Sequence, residues 1–233
     1  MTTRTALITG ASRGLGRALA AELADRGWRL VVDGRNGERL DAAAAAFRQP
    51  AHVPAIPGDV ADPAHRAALA EAVGPRLALL VNNASELGPS PLPPLADLDP
   101  DDFLRVIAVN AVAPLALVQA VLPALRSASG AVVDISSDAA VEAYAGWGGY
   151  GASKAALDQL TAVLAVENPA LRVYAVDPGD MATDMHQAAF PGEDISDRPA
   201  PQSVVPSLLA LIEGDRPSGR YRAPDLVPAE ARP

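Results

Sequence analysis

The sequence predicts an α/β fold: one domain over 1–233, built on a doubly wound parallel sheet of about seven strands with helices on both faces. Two observations carry this. Short apolar runs of strand length alternate along the chain with longer segments of helical periodicity, and such alternation favours a parallel sheet covered on both sides. The 233 residues are enough for one large core, with no internal repeat and no boundary to divide them. The crossovers are expected to be right-handed.

The elements follow in order. Residues 5–9 read as a buried strand, followed by a helix with Leu15, Leu19 and Leu23 on one face and Gly27 as its stop. Residues 29–33 form the second strand and 38–48 an alanine-rich helix. The third strand is expected at 52–56, and a helix opening on proline at 63–73. Residues 77–81 are the fourth strand, and the proline-rich stretch 88–100 a surface loop. A long helical region at 101–126 carries Pro114 and Pro123, which should kink or end it. Residues 131–135 form a strand, 150–166 a helix and 172–176 a sixth strand. Residues 185–201 show few regular signals and are expected to form a mobile substrate loop. A last helix at 203–213, a seventh strand at 220–223 and a weakly packed tail at 224–233 complete the reading.

Composition narrows the function. The chain is 49% hydrophobic and 20% charged, which is globular rather than disordered. Its formal charge of −9 argues against nucleic acid or an anionic membrane as partner. There is no cysteine, hence no disulfide and no thiolate metal ligand. His52, His65 and His186 are scattered without metal-ligand spacing, so no metal is expected. His52 and His65 read as surface or loop residues, and His186 lies beside the 185–201 loop. No signal-like apolar segment opens the chain, and no apolar run reaches the roughly 18 residues of a membrane span. A cytoplasmic location is expected.

The chemistry concentrates in Ser137 and in Tyr150-Gly151-Ala152-Ser153-Lys154. On a helix, positions i and i+4 share a face, which places the Lys154 ammonium near the Tyr150 phenol. A nearby cation favours phenolate and lowers the tyrosine pKa. Bringing it from about 10 to about 7 takes roughly 4 kcal/mol, which the lysine and a bound positive nicotinamide are expected to supply together. Ser137 can then hold a substrate carbonyl oxygen while a hydride moves at carbon. A second motif, Thr9-Gly10-Ala11-Ser12-Arg13-Gly14-Leu15-Gly16, joins the first strand to the first helix. Glycines there permit a tight turn and a close approach to a pyrophosphate at the helix N-terminus.

Taken together these motifs resemble those of the short-chain dehydrogenase/reductase family, single-domain NAD(P)-dependent enzymes with a Rossmann-like fold. The family's TGxxxGxG is matched by Thr9, Gly10, Gly14 and Gly16. Its adenine-contacting acid is matched by Asp59, followed by Val60. Its NNAG segment is matched by Asn82, Asn83 and Ala84, with Ser85 in place of glycine. Asn110, Ser137, Tyr150 and Lys154 match its catalytic tetrad, and Ser136 reads as structural. Pro178, Gly179 and Thr183 match the PGxxxT segment that meets the nicotinamide amide. The resemblance implies a cofactor site of Gly10, Ser12, Arg13, Gly14, Leu15, Gly16, Arg35, Asp59, Val60, Asn82, Ala84, Tyr150, Lys154, Pro178, Gly179 and Thr183. Asn82 and Asn83 have a second reading, as amides that only tie strands together.

Alignment to the family places the NAD-selecting acid at Gly34, and Arg35 and Arg13 can flank a 2′-phosphate, so NADP(H) is expected over NAD(H). A register shift of one residue would instead make Asp33 a selector for NAD. By resemblance, Ser137 orients a carbonyl oxygen, Tyr150 protonates it, Lys154 binds the nicotinamide ribose, and Asn110 holds a water that connects Lys154 to solvent. The segments 144–150 and 163–169 are similar to the sepiapterin reductase and benzil reductase branch, which implies a ketone or 1,2-dicarbonyl substrate with Trp147 and Tyr144 as an apolar wall. That branch's pterin-holding acid falls near Ala223, with Asp225 two places on. A redox-neutral enzyme of the same fold and a non-catalytic NADP-binding sensor are the other readings. The resemblance also implies a homodimer or homotetramer.

Overall fold

A computed structural model describes residues 4–48 and 53–226. Seven parallel strands run in the order β3-β2-β1-β4-β5-β6-β7. They are β1 (Thr5–Ile8), β2 (Arg29–Gly34), β3 (Ala55–Pro57), β4 (Leu79–Asn82), β5 (Ala131–Ile135), β6 (Arg172–Asp177) and β7 (Gly219–Arg222). The helices are α1 (Gly14–Asp25), α2 (Gly37–Ala45), α3 (Pro63–Val73), α4 (Pro100–Ile107), α5 (Ala113–Ala128), α6 (Gly148–Glu167), α7 (Asp184–Ala189) and α8 (Val205–Ile212).

Alternation along each strand divides the core in two. Ile8, Val32, Val81 and Val133 point to one face and pack with Leu19 and Leu23 of α1 and Leu208 and Leu211 of α8. Leu7, Val31, Leu80 and Val132 point to the other, against Leu69 of α3 and Leu117, Val121 and Leu125 of α5. Because β1 pairs with both β2 and β4, the chain changes direction of winding at β1/β4. Ligands of doubly wound sheets bind at the carboxyl ends of the strands beside such a switch point.

The structure revises several expectations. The third strand is Ala55–Pro57 rather than 52–56, and His52 lies outside the described residues. The helical region at 101–126 opens at Pro100 and runs through Ala128 across a π-helical turn, Ala108–Val112. Pro114 falls in the first turn of the segment after the π turn, where a missing N–H costs least, and Pro123 lies inside α5 without ending it. The stretch Pro100–Ala128 is also long and apolar enough by composition to cross a membrane, contrary to the sequence expectation; half of its most apolar window is buried inside the fold. Residues 185–201 are not wholly irregular: Thr183 caps α7 by accepting from His186 N at 3.2 Å. At the start of the expected tail, Leu226 packs into the larger core, while 227–233 lie outside the described residues.

Candidate active site

A cavity of about 1150 Å³ opens along the carboxyl ends of β1, β2, β4, β5 and β6. At its floor the turn after β1 enters α1. Gly10 and Gly14 have positive φ, +68° and +57°, which other residues adopt at a cost. A Cβ on Gly16 would lie 2.4 Å from Asn83 Nδ2 and 2.6 Å from the Gly10 carbonyl. Arg13 stands at the N-cap of α1 with no side-chain cap hydrogen bond. The free N–H groups of the first turn therefore face the cavity beside Ser12, Arg13, Gly14 and Leu15, a ready anion site. The loop is held from two sides. Asn83 Nδ2 donates to the carbonyls of Thr9 at 2.8 Å and Gly10 at 3.1 Å. Thr9 Oγ1 accepts from the amides of Asn83 and Ala84, both at 3.0 Å.

At the end of β2, Asp33 is buried and faces inward. Its Oδ1 accepts from Gly10 N at 2.6 Å and its Oδ2 meets His65 Nε2 at 3.0 Å. Burial pushes the Asp33 carboxyl up, against the hydrogen bonds from His65 and Gly10. His65 is thus a buried member of α3 rather than a surface residue. Gly34 comes next, its missing Cβ 3.0 Å from Ser12 Cβ. The position that by alignment would carry a ribose-selecting carboxylate is therefore bare, while Arg17, Arg35 and Arg39 line the cavity around it. Arg35 pairs with Glu86 at 2.8 Å, and Arg13 pairs with Asp184 of α7. Asp59 and Val60 line the same end. Burial of Asp59 is outweighed by the Ala61 amide and the Arg105 guanidinium, 2.6 Å away, and its carboxyl is held below the usual range.

At the end of β4 the two asparagines divide their work. Asn82 is buried and its Nδ2 donates to Asp134 Oδ1 at 2.7 Å, tying β4 to β5. It is not among the residues lining the cavity, whereas Asn83 and Ala84 are. Asn110 sits in the π-helical turn. Its Oδ1 accepts from Glu86 N at 2.7 Å and Ser85 Oγ at 3.2 Å. Its Nδ2 donates to Glu86 O at 2.8 Å and Ser153 Oγ at 2.9 Å. Both lone pairs and both protons of the amide are spent, which leaves no side-chain group for the water expected there.

Ser137, Tyr150 and Lys154 converge on one wall. Ser137 Oγ donates to Asp138 Oδ1 at 3.0 Å and accepts from Ala139 N at 3.2 Å. Lys154 is buried, and its Nζ donates to Ile135 O at 2.7 Å and lies 5.6 Å from the Tyr150 ring centre. Burial lowers its pKa to about 8, with Asp134 and Asp158 pulling the other way. Burial also dominates at Tyr150 and raises the phenol to about 12, with Asp138 and Asp177 adding to it and the Ser85 and Ser137 hydroxyls opposing. The Lys154 ammonium lies beside the phenol ring, and desolvation of the phenolate is the larger effect on Tyr150.

Beyond Tyr150 the cavity turns apolar. Trp147 stands 5.7 Å from the Tyr150 ring and 5.8 Å from that of Phe190, with Leu87, Ala139 and Met185 in the same cluster. Tyr144 is exposed and outside the lining residues; its single hydroxyl proton is shared between Glu142 Oε2 at 2.8 Å and Asp138 Oδ2 at 3.1 Å. Pro178, Gly179, Thr183 and His186 line the opposite side, whereas Ala223 and Asp225 do not line the cavity. Among the site members that sequence reasoning missed are Arg17, Arg39, Glu86, Arg105 and Asp138. Arg17 follows the glycine turn and Asp138 follows Ser137, whereas Arg39, Glu86 and Arg105 reach the site from separate elements.

Known proteins share this fold and family. The family model described as short chain dehydrogenase matches residues 4–194. The uncharacterized oxidoreductase YciK of Escherichia coli K12 is 35% identical over 221 residues, covering 91% of this chain and 87% of YciK. Sepiapterin reductase of Meriones unguiculatus is 36% identical over 199 residues, 78% of this chain and 76% of that protein. A solved short chain dehydrogenase of Shigella flexneri 2a, complexed with NADP, superposes with a TM-score of 0.88 at 32% identity, covering 96% of this chain and 98% of that one.

Proposed function

The chain belongs to the short-chain dehydrogenase family, and from that premise we propose that it is a cytoplasmic NADP(H)-dependent oxidoreductase that reduces a ketone, a 1,2-dicarbonyl among them, to the alcohol. The observation that carries the reading is the meeting in one cavity of the uncapped α1 N-terminus with Ser137, Tyr150 and Lys154. The fit to a phosphorylated dinucleotide rests on the glycine cradle, on the bare Gly34 and on the guanidinium groups of Arg13, Arg17, Arg35 and Arg39 around it. The complex of the similar Shigella protein with NADP supports the same choice.

When bound, NADPH supplies the hydride, and its oxidised nicotinamide brings a positive charge to the site. The chain's own residues do the rest. Ser137 turns its hydroxyl from Asp138 to the substrate oxygen and orients it. Tyr150 gives its proton to that oxygen as it gains electron density, and the phenolate left behind takes a proton from solvent to restore the phenol. Lys154, anchored by Ile135 O and beside the Tyr150 ring, would bind the nicotinamide ribose with its ammonium. Asn110 serves by position, clamping the 85–86 segment to α6 through Ser153. Trp147, backed by Phe190, offers an apolar wall that excludes water. The exposed Leu115 of α5 and Val163 and Val166 of α6 form an apolar surface suited to a homodimer or homotetramer.

The test is a paired titration of purified protein with NADPH and NADH, followed by nicotinamide absorbance with a panel of ketones and 1,2-diketones. Tighter NADPH binding with diketone-dependent oxidation is expected. Binding without oxidation by any carbonyl points to a redox-neutral enzyme or a sensor, and preference for NADH overturns the cofactor assignment.

A further inference from the structure

We propose that Asp177 selects the redox state of the bound dinucleotide, its carboxylate holding the oxidised, positively charged nicotinamide more tightly than the reduced one. The inference rests on the reading of the cavity as an NADP(H) site with Pro178 and Gly179 beside the nicotinamide. It adds what that reading leaves open, the direction the site favours.

Asp177 is the last residue of β6 and runs directly into Pro178 and Gly179. It lines the cavity together with Ser137, Tyr150 and Lys154, yet its side chain is only 4% exposed. Oδ1 accepts from Gly179 N at 2.9 Å, closing a turn in which Gly179 takes φ +73°. Oδ2 accepts no hydrogen bond among the described residues. It faces Arg222 Nε of β7 at 3.6 Å, and that side chain is 60% exposed. Other carboxylates at the cavity have firmer partners. Asp33 holds Gly10 and His65, Asp59 takes Arg105, and Glu86 takes Arg35. Asp177 instead keeps one oxygen on a loose, solvent-screened ion pair.

A carboxylate so placed acts through charge more than through shape. Reduced nicotinamide is neutral and oxidised nicotinamide is a cation, while the rest of the dinucleotide is the same in both. The attraction of Asp177 therefore acts on NADP⁺ and leaves NADPH nearly untouched. Burial is the largest influence on the carboxyl itself and pushes its pKa up, with Asp138 adding to it; the Gly179 amide, Arg220 and Arg222 oppose. A cation arriving at this wall compensates a charge that burial disfavours. Tighter binding of the oxidised form makes hydride loss more favourable in the complex than in water, so the site leans towards carbonyl reduction.

The experiment is calorimetric titration of NADP⁺ and NADPH into wild type, Asp177→Asn and Arg222→Gln at about pH 8, well above the carboxylate range. Asparagine keeps an oxygen for the Gly179 N–H and removes the charge, so the turn survives the test. Asp177→Asn is expected to weaken NADP⁺ about three- to tenfold relative to NADPH. Arg222→Gln, at an exposed position, is expected to move the same ratio the other way, and it repeats the test should the asparagine variant fold poorly. A wild-type ratio of the two affinities in both variants overturns the proposal. Failure of wild type to bind either dinucleotide overturns the cofactor reading and this proposal with it. The titration needs no carbonyl substrate, so an inactive substrate panel would count against the reductase reading alone.

Discussion

Asp33 Oδ1 accepts the amide hydrogen of Gly10 at 2.6 Å, so the one carboxylate in β2 is spent on holding the turn that enters α1. With Oδ2 on His65, both oxygens are engaged inside the fold. Replacing Asp33 by Ala leaves the part-buried Gly10 N–H and the buried His65 ring without this partner, and a loss of about 1–3 kcal/mol is expected in urea unfolding. NADPH and NADH should weaken together, because the loop is disturbed and no ribose contact is lost. A selective gain in NADH or NADPH affinity would show that Asp33 faces the ribose after all.

Gly16 is closed to any side chain by Asn83 Nδ2 and the Gly10 carbonyl. Gly16→Ala forces these apart, at a cost of about 1–3 kcal/mol, and displaces backbone that must approach a pyrophosphate. A lower melting temperature and a roughly tenfold weaker NADPH complex are expected by thermal melt and fluorescence titration.

Arg35 is paired with Glu86 and must share or leave that partner to meet a 2′-phosphate. Arg35→Ala should weaken NADPH about tenfold and leave NADH unchanged, the loss of one charge-assisted contact. Glu86→Gln should act in the opposite direction on NADPH. Equal effects on both dinucleotides would place Arg35 away from the phosphate.

Lys154 sets a pH dependence of stability. Its folded pKa of about 8 lies below the ordinary 10.5, so between these values the unfolded chain holds a proton that the folded chain has released. Stability should therefore rise with pH across this window, by up to about 1.4 kcal/mol per pH unit. Lys154→Met should abolish the rise when unfolding is compared at the two ends of the window.

Much of this was legible before the structure. Strand-length apolar runs gave β1, β2, β4, β5 and β6, because a parallel sheet buried on both faces writes its core directly into consecutive residues, whereas the edge strands β3 and β7 are short and partly exposed. Ser137, Tyr150 and Lys154 were legible because a helical spacing and a strand end bring them together. His65 was not, since its burial depends on α3 crossing beneath β2 to reach Asp33. Nor was the continuation of helix past Pro114, which needs the π-helical turn before it. The state of Tyr150 also escaped sequence reasoning: spacing identifies the nearby lysine, but how deeply the phenol is buried is set by Trp147, Leu87 and Ala139 from separate elements.

The central claim is tested most directly by comparing wild type and Tyr150→Phe for NADPH binding and for NADPH oxidation with a 1,2-diketone. The account predicts unchanged affinity for NADPH and turnover lowered roughly 10²–10⁴-fold, the contribution of a general acid. A phenylalanine variant that keeps most of the wild-type rate would contradict it.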